Sequence, residues 1–302
     1  MKRLVFISSS EMAHYISICY ADFIRPLLFQ EAAEKLNGSV GLKSIRNSKE
    51  YRLIRRQSLF LGLSDGAHTD LFRRDNPELS NEQVWQTYDI SEKKADDLLG
   101  ELTRDLTDEL ERKPSEEECR FKQLFLLDDF SGSGLSYIRK EAPGNNYAGK
   151  IFKVLSNLAN KELPLGDIIS GNDTLVSVVL YVATSDALTH IRNTLSAWIE
   201  ESRSEFRIEV LTVQCIDAKW KLEKPADEKI IRLAQKYFNE IVIDEHYKKG
   251  RHERPYLGFN EASLPLVLYH NTPNNSIPII WFGDEGTYRG VFPRVRRHKG
   301  EG

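Results

Sequence analysis

The sequence has few cysteines and no long apolar segment. Its three cysteines, Cys19, Cys119 and Cys215, are odd in number and widely spaced, which indicates neither a disulfide framework nor a zinc site. We therefore expect a reducing, cytoplasmic environment. No apolar run approaches the roughly 18–20 residues of a membrane helix. The apolar run that begins at Leu4 stops at Ser8, which is too short for a signal peptide, and we expect no membrane contact.

The sequence also has little excess charge of either sign. Its 42 Lys and Arg residues are balanced by 45 Asp and Glu residues, for a formal net charge of −3. This balance argues against a protein that binds nucleic acid mainly through bulk charge. The hydrophobic fraction of 40% and the charged fraction of 29% are ordinary for a globular protein. No internal repeat or low-complexity linker divides the chain.

The most informative segment runs from Leu124 to Ser136 and reads Leu-Phe-Leu-Leu-Asp-Asp-Phe-Ser-Gly-Ser-Gly-Leu-Ser. Its first four residues are apolar, which predicts a parallel strand buried on both faces. Asp128 and Asp129 would lie at the carboxyl end of that strand, where open parallel sheets bind ligands. The small residues at 131–134 would let the backbone approach an anion closely, and we expect a helix to begin after them.

The chemistry of this segment suits a phosphorylated sugar. Backbone N–H groups of the loop, with the N-terminus of the next helix, can form an anion-binding concavity, and Ser133 and Ser136 add hydroxyl donors. The two carboxylates would repel a bare phosphate, so we expect them to accept hydrogen bonds from sugar hydroxyls or to lie near a metal. A β-turn with an Asx cap is the alternative. The segment fits neither a Walker A loop nor a dinucleotide fingerprint.

Strands and helices alternate along the chain. Expected strands cover residues 58–63, 175–183, 208–216, 266–269 and 277–282, and expected helices include 69–74, 151–158, 188–198 and 230–241. Alternation at this spacing predicts right-handed βαβ units and a mainly parallel sheet flanked by helices. We therefore predict an α/β fold.

We expect three parts along the chain. Residues 1–57 are predicted to form a helical N-terminal cap, and residues 58–282 an α/β domain that carries a helical, acidic insertion at 79–113. Residues 283–302 are predicted to form a basic C-terminal tail. In the insertion, leucines at positions 98, 102, 106 and 110 recur every four residues, which predicts a packing face rather than a coiled coil because the stripe spans too few heptads.

Local patterns support the helical cap. Ser8 and Glu11 have capping-box spacing, which places a helix N-terminus at this point. Pro26 should kink or end the helix that begins there.

The segment from Leu124 to Ser136 resembles the ribose-5-phosphate-binding signature of the type I phosphoribosyltransferases. The resemblance implies that Asp128 and Asp129 bind the ribose 2′- and 3′-hydroxyls of phosphoribosyl pyrophosphate. It implies that the 5-phosphate is bound by the loop residues Ser131, Gly132, Ser133, Gly134, Leu135 and Ser136. The family usually has Thr where this chain has Ser133 and Ser136, and both residue types carry the hydroxyl. The resemblance also implies Mg²⁺, which the two acids would hold only indirectly, through the ligand.

Two further loops extend the resemblance. The segment Ser64, Asp65, Gly66 and Ala67 lies between an expected strand and helix, like the family's pyrophosphate-binding loop, although many ordinary turns contain Asp-Gly. Residues 269–276 follow a late strand. With the other two segments they resemble a divergent, phosphoribosyltransferase-like branch predicted in bacterial conflict and antiphage systems. The candidate acceptor-recognising residues of this loop are His270, Asn271, Thr272, Asn274 and Asn275. A plain loop is the alternative.

The resemblance makes Asp128, Asp129 and His270 the candidate catalytic residues. The intrinsic pKa of histidine lies near neutrality, so His270 could act as an acid or a base, although a lone histidine is more often structural. In typical family members a flexible loop closes over the site. Here the helical insertion at 79–113 occupies that stretch, which puts the standard base-salvage reaction in doubt.

Three classes of function remain open. The first is a transferase or hydrolase that acts on a phosphorylated ribose or nucleotide as a defence effector. The second is a non-catalytic nucleotide sensor or regulatory subunit that keeps the binding loop. The third is a nucleic-acid-interacting component of a defence complex, motivated by basic clusters at Arg52, Arg55 and Arg56 and at 294–299, for which a solvated face is the alternative. A defence-system protein partner and a homodimer are compatible with the resemblance.

Overall fold

The computed structural model of the chain describes residues 3–38, 41–141, 146–171, 174–284 and 288–294. The strands are β1 (Val5–Ile7), β2 (Ser58–Gly62), β3 (Val84–Trp85), β4 (Gln123–Ser131), β5 (Arg139–Glu141), β6 (Asn146–Ala148), β7 (Leu175–Thr184), β8 (Arg207–Ile216), β9 (Leu266–Leu268), β10 (Gly283–Asp284) and β11 (Tyr288–Arg289). The α-helices are α1 (Ser9–Ile18), α2 (Arg25–Lys35), α3 (Leu42–Asn47), α4 (Lys49–Arg56), α5 (Thr69–Asp75), α6 (Glu92–Leu110), α7 (Lys150–Ala159), α8 (Pro164–Ile168), α9 (Ser185–Ser202), α10 (Glu228–Lys236) and α11 (Pro278–Trp281).

A five-stranded sheet in the order β3-β2-β4-β7-β8 forms the centre of the fold. Each neighbouring pair of its strands runs parallel, which confirms the predicted α/β fold. Every residue of β7 is buried, as expected for a parallel strand covered by helices on both faces. Because β2 and β4 are neighbours, the loops after these two strands leave the same edge of the sheet.

Each face of the sheet buries its own hydrophobic cluster, because side chains alternate between faces along a strand. Leu124 and Leu126 of β4 pack with helices α6, α7, α8 and α9. Phe125 and Leu127 pack on the opposite face with α1, α2, α4 and α5. The buried leucines at 98, 102 and 106 belong to the first cluster, so the leucine stripe is a packing face on the core, as predicted.

The N-terminal region is mostly helical but begins with a strand that the sequence pattern did not indicate. Val5 pairs in parallel with Leu266, so β1 and β9 form a separate two-stranded sheet. The capping box between Ser8 and Glu11 is present. A π-helix, Cys19–Ile24, separates α1 from α2 immediately before Pro26, and this widened turn is where the missing proline N–H is accommodated.

Three expected elements are wrong. Residues 79–91 are not helical, since a 3₁₀ turn leads into the edge strand β3 and α6 begins only at Glu92. The expected strand at 277–282 is helix α11, because Pro278 in its first turn fixes a helical φ. No helix follows Ser136 directly. Residues 135–137 form a turn, the β5–β6 hairpin follows, and the next helix is α7.

Two further predictions concern the basic cluster near the C-terminus and membrane-spanning helices. Most of the basic cluster at 294–299 lies outside the described residues, which end at Arg294. Within the described part of the chain, no helix combines the length and apolar character needed to cross a membrane.

Candidate ligand site

Three loops that the sequence pattern singled out meet at the carboxyl edge of the sheet. The Ser64 hydroxyl, after β2, donates a hydrogen bond to Oδ1 of Asp128 in β4. Gly66 lies against the other acid, since a Cβ built on it would be 2.6 Å from Cγ of Asp129. The Nε2 atom of His270, after β9, lies 3.0 Å from Oδ2 of Asp129. The structure thus brings Ser64 and Gly66 of one predicted loop and His270 of another to the paired acids.

Asp128 is fully buried and its acceptor positions are filled by the protein. Its Oδ2 accepts hydrogen bonds from the Tyr137 hydroxyl and the Lys150 ammonium, each at 2.7 Å. Its Oδ1 accepts from Ser64 and, at 3.2 Å, from the Asp129 N–H. A carboxylate offers about four acceptor sites, so none remains for a ligand in this arrangement.

The pKa of Asp128 is determined by these surroundings. Burial, and then the charge on Asp129, raise the pKa of Asp128 even though the Lys150 ammonium lowers it. Because four protein donors surround it, Asp128 orients its neighbours.

Asp129 is the more accessible acid, with 18% of its side chain exposed. Burial opposes its ionisation, but hydrogen bonding and charge from His270, with the charge of Lys150, lower its pKa overall. The Phe130 N–H donates to its Oδ1 at 2.8 Å. Asp129 is therefore held as a carboxylate, and its Oδ2 atom pairs with the partly exposed His270.

The loop after β4 offers a set of backbone donors. Among the residues that the structure describes, none accepts a hydrogen bond from the N–H groups of Gly132, Ser133, Leu135 or Ser136. By contrast, the Gly134 N–H donates to the Ser131 hydroxyl oxygen at 3.2 Å. Buried or half-buried amides without partners are uncommon in folded proteins, and several in one loop are typical of an anion-binding concavity.

The loop has one defined shape. Gly134 has a φ of +78°, a left-handed conformation that favours glycine. The Thr184 hydroxyl at the end of β7 donates to the Gly132 carbonyl oxygen at 2.9 Å. The Asn275 side chain lies against the α-carbon of Gly132 and leaves no room for a Cβ there. The free amides are therefore held by neighbouring strands and by the 269–276 segment.

The predicted acceptor loop is itself held by its own hydrogen bonds. The Thr272 hydroxyl donates to the Phe292 carbonyl oxygen at 3.0 Å, and the Asn275 side chain donates to the Phe259 carbonyl oxygen at 3.2 Å. The Asn274 carbonyl oxygen accepts from the Phe259 N–H at 2.7 Å. The structure places His270 beside Asp129 and Asn275 beside Gly132 of the loop after β4.

Two buried atoms in this loop have no hydrogen-bond partner within the described part of the chain. They are Nδ1 of His270 and Oδ1 of Asn271. Both are the kind of atom that a bound ligand or water satisfies.

The loop after β2 shows where the predicted pyrophosphate residues lie. The Ala67 carbonyl oxygen accepts from the buried Tyr181 hydroxyl at 2.7 Å, and Asp65 is exposed. His68 follows in a left-handed conformation, with its ring centroid 5.9 Å from that of His270. Tyr269 completes the cluster, since its hydroxyl lies 3.3 Å from Nε2 of His68.

Four residues of the site were missed by the sequence analysis. Tyr137 lies one residue beyond the motif, and Lys150 is separated from it by the β5–β6 hairpin. His68 directly follows the predicted loop at 64–67, and Tyr269 is the first residue of the 269–276 segment but was not among its candidate residues. A search for hydrogen-bonding side chains directly flanking the three loops would have found all of them except Lys150, for which the sequence holds no local signal.

A cavity of about 910 Å³ adjoins the loop after β4. Its wall includes Gly132, Ser133 and Leu135 of the loop and His190 of α9. The rest of the wall comes mainly from charged and polar side chains of the C-terminal segment, including Lys221, Lys224, Arg251, Arg254, Tyr256 and Asn260. Its volume is within the roughly 300–1,000 Å³ typical of small-molecule sites. Neither Asp128 nor Asp129 lines it.

The first basic cluster is neutralised within the molecule. Arg52 pairs with Glu109 at 2.7 Å, and Arg56 pairs with Asp105, both acids being on α6. Arg55 lies over the Tyr51 ring. Acids of α6 therefore pair with Arg52 and Arg56.

The donor set does not fit a magnesium ion held by the protein. Among the described residues, no group of three or more His, Cys, Asp or Glu side chains could hold a metal. The Asp128 oxygens are occupied by protein donors, one of which is the Lys150 ammonium. The outward oxygen of Asp129 is paired with His270.

Comparison with known proteins identifies a family. A family model described as PRTase-CE matches residues 1–294. That range includes the central sheet, the loop after β4 and the segment around His270. Searches of curated proteins and of solved structures found no match.

Proposed function

Because the chain belongs to the PRTase-CE family, which is phosphoribosyltransferase-like, we propose that it binds a phosphoribosyl compound at the carboxyl edge of its sheet. Phosphoribosyl pyrophosphate, ribose 5-phosphate and nucleoside monophosphates share the required chemistry. The observation that carries this proposal is the set of N–H groups at Gly132, Ser133, Leu135 and Ser136 that have no acceptor among the described residues, directly after two acids at the end of a buried strand.

The phosphate binds to the loop amides. Backbone donors that converge without partners stabilise an anion at little cost, because they need not reorganise. The Ser133 hydroxyl adds a donor from the same loop. The adjoining cavity of about 910 Å³ provides room for the rest of a nucleotide-sized ligand.

The ribose hydroxyls bind to Asp129, with Asp128 as its support. Asp129 is a partly exposed carboxylate, and a carboxylate accepts hydrogen bonds from a sugar. The hydroxyls compete with His270 for its outward oxygen. Once released from Asp129, His270 is placed to accept or donate a proton at an acceptor atom. The family resemblance makes pentosyl transfer the favoured reaction, and a bacterial antiphage effector the favoured role.

A non-catalytic nucleotide sensor or regulatory subunit is the second candidate. The specific observation in its favour is that Asp128 is already paired with Lys150 and Asp129 with His270. Such pairing is compatible with a site that binds a ligand without turnover. The nucleic-acid alternative has less support, because α6 neutralises the Arg52 and Arg56 side chains.

A thermal-shift panel tests the proposal. It compares phosphoribosyl pyrophosphate, ribose 5-phosphate, nucleoside monophosphates and unphosphorylated ribose, each with and without Mg²⁺. We expect the phosphorylated riboses to raise Tm in a concentration-dependent way, and ribose to have little effect. A flat result for every phosphorylated ribose contradicts the proposal.

A turnover assay separates the two candidates. Pyrophosphate release from phosphoribosyl pyrophosphate, lost in Asp129→Asn, indicates the transferase class. Binding without pyrophosphate release on any tested base or nucleoside indicates the sensor.

A further inference from the structure

Lys150 has an ammonium group with spare hydrogen-bonding capacity beside the paired acids. Its Nζ lies 2.7 Å from Oδ2 of Asp128 and 5.2 Å from the centre of the Tyr137 ring. A lysine ammonium carries three donors, and within the described part of the chain only Asp128 accepts one from it. About a third of the side chain, 32%, is exposed. Lys150 can therefore donate to a ligand while it remains paired.

The backbone of Lys150 is joined to the end of the loop that follows β4. The Lys150 N–H donates to the Ser136 carbonyl oxygen at 3.0 Å, and the next N–H, of Ile151, donates to the Tyr137 carbonyl oxygen at 2.9 Å. Gly149, with a φ of +126°, lies so close to Tyr137 that no Cβ fits. The first turn of α7 is therefore joined to the end of the loop that carries the free amides.

The charge of Lys150 addresses the electrostatic difficulty of the site. Two neighbouring carboxylates repel a phosphate, and a buried carboxylate such as Asp128 needs a compensating charge. A divalent cation would supply this charge, but the protein donors leave Asp128 no free acceptor position. The ammonium supplies a permanent positive charge at the same carboxylate, without a metal.

We propose that Lys150 binds the oxygens of the phosphorylated ribose directly, and that it supplies the charge that the family resemblance assigns to magnesium. Asp128 is then a positioning residue, which holds Lys150 rather than the sugar. This inference rests on the proposed function and adds that ligand binding does not require a divalent cation.

Calorimetric titration with ribose 5-phosphate tests this inference, in one buffer with EDTA and one with Mg²⁺. The variants are Lys150→Met, Lys150→Arg and, as a matched control, Lys153→Met, which removes an exposed lysine from the same helix. We expect the wild-type protein and the control to bind equally well in both buffers. In EDTA, Lys150→Met should bind about tenfold or more weakly, with affinity partly restored by Mg²⁺ and largely kept in Lys150→Arg.

The outcomes separate this inference from the proposed function. Wild-type binding that requires Mg²⁺, or Lys150→Met binding as tightly as wild type in EDTA, overturns the role of Lys150 and leaves the proposed function intact. No binding by the wild-type protein in either buffer overturns both. Because Lys150→Met also loses an ion pair, its Tm and circular dichroism are compared with wild type. Weaker binding with no rescue by Mg²⁺ indicates a structural role and overturns the inference.

Discussion

Gly66 is the residue whose substitution tests the close contact between two of the converging loops. A Cβ at this position would lie 2.6 Å from both Cγ and Oδ2 of Asp129. Ordinary van der Waals contact begins near 3.4 Å, so the methyl group of Gly66→Ala displaces the carboxylate by about 0.8 Å. The Oδ2 atom that must move is the one that lies 3.0 Å from Nε2 of His270, so the substitution disturbs this hydrogen bond.

The expected loss of stability combines three effects. Overpacking costs about 1–3 kcal/mol, and a lost hydrogen bond to a charged group costs about 1.5–3 kcal/mol. The lower entropy of the unfolded alanine variant offsets these by about 0.4–1 kcal/mol. We therefore expect Gly66→Ala to reduce the free energy of unfolding by about 1.5–5.5 kcal/mol and to weaken binding of ribose 5-phosphate.

Urea denaturation measures this change. The matched control is Gly100→Ala in α6, where no atom lies within 4 Å of the added Cβ and alanine should stabilise the helix by about 0.5–1 kcal/mol. A Gly66→Ala protein that is as stable as wild type, with unchanged ligand affinity, refutes the contact between Gly66 and Asp129.

Three further predictions address the loop, the core and the acids. Gly134→Ala, at a φ of +78° and with a Cβ 2.8 Å from the His190 ring, should cost about 1–3 kcal/mol and reduce phosphate affinity; unchanged affinity by calorimetry contradicts the loop geometry. Leu102→Ala removes a fully buried side chain and should cost about 2–5 kcal/mol in urea denaturation. A much smaller loss of stability contradicts the packing of α6 on the core. Because the Asp129 pKa is lowered, its contribution to stability is present above about pH 4 and is lost as the pH falls below it. The difference in unfolding free energy between wild type and Asp129→Asn should therefore shrink as the pH falls below about 4, and a constant difference refutes this.

The central strands could be predicted because their patterns are local and long. The apolar run at 124–127 and the ten-residue strand β7 both indicate burial on two faces, and both are central in the sheet. Short elements carry too little pattern. β1 has three residues and pairs with the distant β9, and β3 has two. Their strand character comes from the neighbouring strand rather than from their own composition.

The candidate site was predictable to the extent that strand ends determine it. The acids and the loop at 131–136 are contiguous in sequence and follow a buried strand, where open parallel sheets bind ligands, and the resemblance to a pyrophosphate-binding loop pointed to Ser64. Lys150 reaches Asp128 only because the β5–β6 hairpin returns the chain to Ser136. No local pattern carries such a tertiary contact. The burial of Asp128 likewise depends on Tyr137 and Lys150, which close around it.

Amide chemical shifts during titration with ribose 5-phosphate test the central claim most directly. In a ¹⁵N–¹H correlation spectrum, we expect the largest shifts at Gly132, Ser133, Leu135 and Ser136, whose N–H groups lack partners among the described residues. Unphosphorylated ribose at the same concentration should leave these four signals in place. Saturable binding of ribose 5-phosphate with the four signals unmoved, or shifts centred elsewhere in the molecule, would contradict the claim that this loop binds the phosphate.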